Sequence, residues 1–145
     1  MDQNHITSLP TEIGNLSSLN RLNLYDNLIP SLPIEIWNLT GLTDLDIAVN
    51  PITSLPTEIG NLSSLKRLNL YGDSLSSLPS SIGNLSHLTA LYVDNNQLTS
   101  LPAEMENLSN LHIFSATNNA ISVLPARVIQ LFHAMQINNG HLYTH

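Results

Sequence analysis

The side chains in this sequence best suited to chemistry are its six histidines, a spaced set of glutamates and many serines. A metal centre needs its ligands close and rigidly framed. Yet His5, His87, His112, His133, His141 and His145 include no H-E-x-x-H or comparable zinc spacing. His141 and His145 are four apart, but in a polar tail. No metal and no cofactor is therefore expected. Glu12, Glu35, Glu58 and Glu104 recur at one place in a repeating pattern, where Ser81 stands in the fourth copy. Such a column is a row of solvated helix starts, not an acid and a base facing each other across a cleft. The serines have no partner histidine at a fixed site, and there is no glycine-rich phosphate loop. These residues do not point to an enzyme.

The 145 residues suit one domain, and 42% are hydrophobic, enough for a continuous core. The formal net charge is −7, and the four basic residues, Arg21, Lys66, Arg67 and Arg127, form no broad patch. Nucleic acid is thus a poor partner, because phosphate binding needs clustered cations; basic or neutral partners fit better. Without cysteine there are no disulfides or thiolate sites. No apolar run reaches the roughly 18–20 residues of a membrane span. The start, "MDQNHITSLP", lacks the basic and apolar regions of a secretion signal. A cytoplasmic protein, or one exported without such a signal, is expected.

The dominant feature is a period. Leu-Pro recurs at Leu9, Leu32, Leu55, Leu78, Leu101 and Leu124, each 23 residues after the last. Between these pairs the apolar residues follow one rule. Leu19, Leu22, Leu24, Asn27 and Ile29 are followed by Leu42, Leu45, Ile47, Asn50 and Ile52. Then come Leu65, Leu68, Leu70, Asp73 and Leu75, and two more sets ending at Leu98 and Ile121. The pattern L-x-x-L-x-L-x-x-N-x-L resembles the leucine-rich repeat family, in its "LPxxIxxL" form common in bacterial and intracellular eukaryotic proteins, from Asn4 to about Leu124. The resemblance implies an α/β fold: a right-handed α/β horseshoe solenoid with a parallel concave sheet and short helical or 3₁₀ convex segments.

The residues lead to the same architecture unaided. Leu22 and Leu24 alternate with Arg21, Asn23 and Tyr25, as in a half-buried strand. Pro10, Glu12, Ile13, Leu16 and Leu19 suit a short helical return, interrupted by Gly14. One unit buries too little apolar area to offset the ordering of 23 backbones. Stability must come from stacked neighbours. Asn27, Asn50, Asn96 and Asn119 should form a ladder whose amides satisfy backbone groups where the strand turns away. Asp73 occupies the same place without amide donors, so Asp73→Asn is expected to stabilise the chain.

The register defines the outward columns of the sheet. Arg21, Asp44, Arg67, Ala90 and Ile113 form one; Asn23, Asp46, Asn69, Tyr92 and Ser115 the next. Tyr25, Ala48, Tyr71, Asp94 and Thr117 form the third, and Asp26, Val49, Gly72, Asn95 and Asn118 the fourth. Arg21, Asp44 and Arg67 alternate in sign, as in a cross-strand charge ladder. Tyr25, Tyr71 and Tyr92 beside Arg are the residue types of an interface anchor. The candidate partner-binding residues are therefore Arg21, Asn23, Tyr25, Asp44, Asp46, Arg67, Asn69, Tyr71, Tyr92 and Asp94.

Residues 7–25 and 53–71 differ only at Asn20 and Lys66, which marks a duplicated two-unit block. The sequence divides into a partial unit over 1–10, regular units over about 11–125 and a degenerate cap over 126–145, all in one repeat domain. Met1 falls at a strand leucine position and Leu142 at a ladder position. An uncovered first strand would invite self-association into a homo-oligomer. Asn-x-Ser/Thr at Asn15, Asn38, Asn61, Asn84 and Asn107 matches a glycosylation acceptor, but one phase of a repeat explains all five.

The resemblance implies a scaffold or recognition module binding a protein or peptide. Similar bacterial arrays occur in effectors delivered into host cells, and others precede ligase or kinase domains. Three readings are open: a partner-binding module, the recognition part of a larger enzyme, or a self-associating array.

Overall fold

Each of the first five Leu-Pro pairs ends an extended stretch and opens one tight turn of helix. A computed structural model describes residues 4–138. Pro10 is extended (φ −71°, ψ 150°), and the Ile13 N–H donates to its carbonyl at 3.2 Å. The bond spans three residues, so the return is 3₁₀. The same turn recurs over Thr11–Asn15, Ile34–Asn38, Thr57–Asn61, Ser80–Asn84 and Ala103–Asn107. Each is closed by a leucine near φ −80°, ψ 60°, whose N–H donates back into the turn. A 3₁₀ helix rarely runs longer.

Glycine sets how closely these returns stack. A methyl group on Gly14 would lie 2.7 Å from the Glu35 carbonyl oxygen, and one on Gly83 would lie 2.3 Å from that of Glu104. Trp37 occupies the equivalent place in the second unit and is fully buried.

Five short strands, β1 (Arg21–Asn23), β2 (Asp44–Asp46), β3 (Arg67–Asn69), β4 (Ala90–Tyr92) and β5 (Ile113–Ser115), lie parallel in chain order. Their register places Leu22 beside Leu45, Leu45 beside Leu68, Leu68 beside Leu91, and Leu91 beside Phe114. Backbone bonds prolong the pairing past the strands, from Asp26 N–H to Ala48 and from Val49 N–H to Tyr71. The inward leucine and isoleucine rows form one continuous core. The chain is thus an α/β solenoid whose short 3₁₀ returns lie opposite a parallel sheet.

Past each strand the chain reverses at a residue with positive φ: Asp26 (56°), Val49 (57°), Gly72 (68°), Asn95 (54°) and Asn118 (55°). Asp, Asn and Gly suit this left-handed region. Val49 does not, because its branched Cβ crowds the backbone there. The fourth column therefore serves the turn.

One residue later come the ladder positions. Asn50 Nδ2 donates to the carbonyls of Leu24, Ile47 and Ala48 at 2.9, 2.8 and 3.3 Å, while its Oδ1 accepts the Ile29 N–H at 3.1 Å. Asn96 bonds likewise to Leu70, Val93, Asp94 and Leu75, and Asn119 to Val93, Ala116, Thr117 and Leu98. Asn27 accepts from Ile6 and donates to Leu24 and Tyr25. Asp73 differs. Its Oδ1 accepts the Asn50 N–H at 2.9 Å, and its Oδ2 is buried without a partner. Burial, aided by the nearby Asp46 charge and opposed by the Asn50 N–H, lifts this carboxyl to about 7.

Pro125 opens a different element. Here the N–H of Ile129 reaches the Pro125 carbonyl, a four-residue bond, and the chain continues as an α-helix, α1 (Ala126–Asn138). Val128 and Phe132 are buried, and Phe132 stacks on Phe114 with centroids 4.8 Å apart. Arg127 pairs with Glu106 at 2.9 Å. The expectations at Met1, Leu142, His141 and His145 lie outside the described residues. No helix among the described residues is long and apolar enough to cross a membrane.

Candidate partner-binding face

The outward side chains of β1 to β3 share one surface because the register is strictly parallel. Arg21 lies beside Asp44, and Asp44 beside Arg67. The ion pairs do not simply run along this column. Arg21 Nε is 3.6 Å from Asp44 Oδ2, but Arg67 Nη1 is 3.6 Å from Asp46 Oδ2, on the diagonal. Asn69 Nδ2 donates to the same Asp46 oxygen at 3.0 Å. On its other side the Arg67 guanidinium carbon lies 5.5 Å from the centre of the Tyr92 ring. Asp46, Arg67 and Tyr92 thus form a carboxylate–cation–aromatic chain across three strands.

The tyrosines divide. Tyr25 and Tyr71 are 49% and 43% exposed, whereas Tyr92 is half-buried with Arg67 over its ring. Both exposed tyrosines are seated alike: the Tyr25 N–H donates to Asn23 Oδ1 at 2.9 Å and the Tyr71 N–H to Asn69 Oδ1 at 3.2 Å. Asn23 and Asn69 are therefore engaged in holding the strand ends, as Asp46 is through Ala48 N–H at 3.2 Å. Asp94 is buried; its Oδ1 accepts from the Thr117 N–H at 2.9 Å and from the Thr117 and Ser115 hydroxyls. Its role is to join the fourth and fifth turns.

The sheet face therefore presents Arg21, Tyr25 and Tyr71 outward, Asp44, Asp46, Arg67 and Asn69 half-buried in ion pairs and hydrogen bonds, and Asp94 inside. Ile113, at the far end of the first column, is 48% exposed. Sequence reasoning placed it in the column without choosing it, although a bulky apolar residue among Arg and Asp was a readable signal.

Elsewhere, a cleft of about 250 Å³ lies between the second and third turns among Leu32, Ile34, Trp37, Ile52 and Leu55. The indole Nε1 of Trp37 is buried without a partner. The sequence signal was a tryptophan at the phase where Gly14, Gly60 and Gly83 stand. No titratable side chain lines the cleft. Among the described residues no group of three or more His, Cys, Asp or Glu is placed to hold a metal ion. Glu12, Glu35, Glu58 and Glu104 start separate 3₁₀ returns, and His87 Nδ1 lies 2.9 Å from the Ser63 carbonyl, tying adjacent turns.

A stacked, parallel, 23-residue unit with an asparagine ladder defines a class of protein, and comparison with known families gives the same class. "Leucine-rich repeat region" matches residues 35–100, and "Leucine rich repeat" matches residues 1–52. The chain belongs to the leucine-rich repeat family. A comparison with curated proteins finds no match.

Among solved structures, the chain is similar to a leucine-rich repeat protein of Leptospira interrogans (32% identity, TM-score 0.70), covering 89% of this chain and 39% of that one. It is similar to the plant peptide hormone receptor RGFR1, solved in complex with RGF2 (36%, 0.79; 87% and 21% covered). A third similar structure is an internalin of Listeria monocytogenes (32%, 0.72; 83% and 34% covered). The chain spans less than two fifths of the length of each. Leucine-rich repeat domains are commonly protein-interaction modules and typically carry no catalytic site.

Proposed function

We propose that this chain is a protein-interaction module that recognises a protein or peptide through its concave sheet face. The observation that carries the reading is the pair of exposed rings, Tyr25 and Tyr71, beside the Asp46–Arg67–Tyr92 chain on one rigid surface. Tyrosine and arginine concentrate binding energy when desolvated. Backbone bonds fix the strands beneath them, so little order is lost on binding. That a similar receptor, RGFR1, is solved in complex with RGF2 supports the reading. All 145 residues act as one such domain, with 1–10 a partial unit, 11–125 the recognition array and 126–145 its terminal cap. The cellular setting we propose for such a module is that of a bacterial effector or a scaffold.

The partial coverage of the similar structures favours a second reading, in which these repeats are the recognition segment of a longer protein. Both readings use the same face. Affinity capture with the intact chain and with Arg67→Ala/Tyr71→Ala tests it: captured partners should be lost, while Ser80→Ala on the return side retains them. Equal losses from the two changes would move the site off the sheet.

A further inference from the structure

Four junctions join the five described turns, and the one between the second and third differs from the rest everywhere but at the sheet. On the return side, glycine brings the other stacked 3₁₀ returns together. A methyl group added to Gly14, Gly60 or Gly83 would lie 2.7, 2.8 or 2.3 Å from a carbonyl oxygen of the next return, at Glu35, Ser81 or Glu104. Trp37 stands at this phase in the second return, and an indole cannot share so small a space. The cleft of about 250 Å³ lies at this junction, and the Trp37 Nε1–H is buried beside it without an acceptor.

Past the strands the same junction is weak again. At the other three, an asparagine of the later turn donates Nδ2 to the earlier turn, at the Leu24, Leu70 or Val93 carbonyl. Its Oδ1 accepts the N–H of Ile29, Leu75 or Leu98. Asp73 replaces that asparagine here; it has no amide to donate, and its Oδ2 is buried unpaired. Val49, at φ 57°, holds the reversal just before Asn50, a conformation that strains a branched side chain. The sheet side, by contrast, is well tied. The N–H groups of Ile47 and Val49 donate to Asn69 and Tyr71, and those of Lys66 and Arg67 to Thr43. The Asp46 carboxylate adds its bond from Asn69 and its ion pair with Arg67.

In a stacked array, opening concentrates at the junction with the poorest contacts. Where one edge is tied and the other flanks are loose, opening is a tilt rather than a separation. We propose that the second junction is a hinge: the block of the first two turns tilts against the block of the next three about the β2–β3 edge, opening at the Trp37 cleft and the Asp73 ladder position. Tyr25 belongs to the first block and Tyr71 to the second, so the tilt sets the angle between the two exposed rings. The hinge itself does not depend on that face binding a partner.

The test is native-state hydrogen exchange on the isotope-labelled chain. The Ser74 N–H donates to Ile52 across the hinge, and the Gln97 N–H donates to Leu75 at the same phase of the next junction. Corrected for intrinsic rates, Ser74 should exchange at least about tenfold faster than Gln97. Ile47 and Leu70, the matching pair on the sheet side, should be protected alike. Trp37 is the single tryptophan, so its indole N–H gives one signal, which should exchange in step with Ser74. The double variant Val49→Gly/Asp73→Asn carries residues that the repeat already uses at both positions, and it should slow Ser74 and the indole together. Equal protection of Ser74 and Gln97 overturns the hinge, as does an indole or a Ser74 amide that the double variant leaves unchanged. Ile47 exchanging as fast as Ser74 also overturns it, because the blocks would then part outright. None of these outcomes touches the concave-face reading, which fails only if partner capture survives the changes at Arg67 and Tyr71.

Discussion

Residues 7–25 and 53–71 are the same sequence but for Asn20 and Lys66, and the structure treats them differently. Leu16 is 51% exposed, while its copy Leu62 is fully buried. Leu9, Ile13, Leu19 and Leu22 are partly buried; Leu55, Ile59, Leu65 and Leu68 are in the core. Arg21 pairs with Asp44, whereas Arg67 reaches Asp46 and Tyr92. The second copy lies between two turns. The first has a described turn on one side only. Burial in a stacked array is therefore a property of a position in the stack, supplied by both neighbours.

The largest expected effect breaks the symmetry between the copies. Leu62→Ala should cost about 2–5 kcal/mol, as for a fully buried leucine. Leu16→Ala should cost about 1 kcal/mol or less, in line with its exposure. Urea midpoints of the two variants measure the difference, and equal losses would mean that the first copy is covered in solution.

Glycine substitutions should instead restore the symmetry. Gly14 and Gly60 both face the next turn in the stack, which both copies have. An added methyl would meet the Glu35 carbonyl oxygen at 2.7 Å in one and that of Ser81 at 2.8 Å in the other. Gly14→Ala and Gly60→Ala should each cost about 1–3 kcal/mol by overpacking. Thermal unfolding should show similar losses.

The smallest effect concerns the ladder position just beyond each copy: Asn27 after the first, Asp73 after the second. In Asp73→Asn the new amide nitrogen takes the place of the unpaired Oδ2, giving about 1 kcal/mol of stabilisation at pH 8. The pH dependence has a definite sign. The folded carboxyl titrates near 7, above its ordinary value of 3.8, so the folded state holds a proton that the unfolded chain releases. The contribution of Asp73 to stability should be greatest below about pH 4, fall as pH rises towards 7 and then level off. The Asp73→Asn variant should lose this slope, and a slope that survives would place the titration elsewhere.

Much of this was legible in the sequence. The fixed period gave the units, alternation at Leu22 and Leu24 gave the strands, and Pro10 with Gly14 gave short returns. The outward columns followed because parallel stacking leaves one register. Contacts between columns were not legible. Tyr92 and Tyr71 stand in neighbouring outward columns, and the sequence alone does not say that Arg67 lies over the ring of Tyr92. Asp94 is drawn inside because Ser115 and Thr117, a turn later, supply hydroxyls. Val49 gave no hint of a left-handed backbone, since the reversal is imposed by the stack on whichever residue stands there.

The sequence by itself determined the repeat, the fold family and the order of side chains on each face, because these depend on local alternation and a constant spacing. Only the tertiary structure decided which copy of an identical leucine is buried, which tyrosine stays open and which carboxylate carries a proton. The physical reason is that desolvation and pairing are set by atoms 21 to 26 residues away, brought within hydrogen-bond distance when one turn settles on the next.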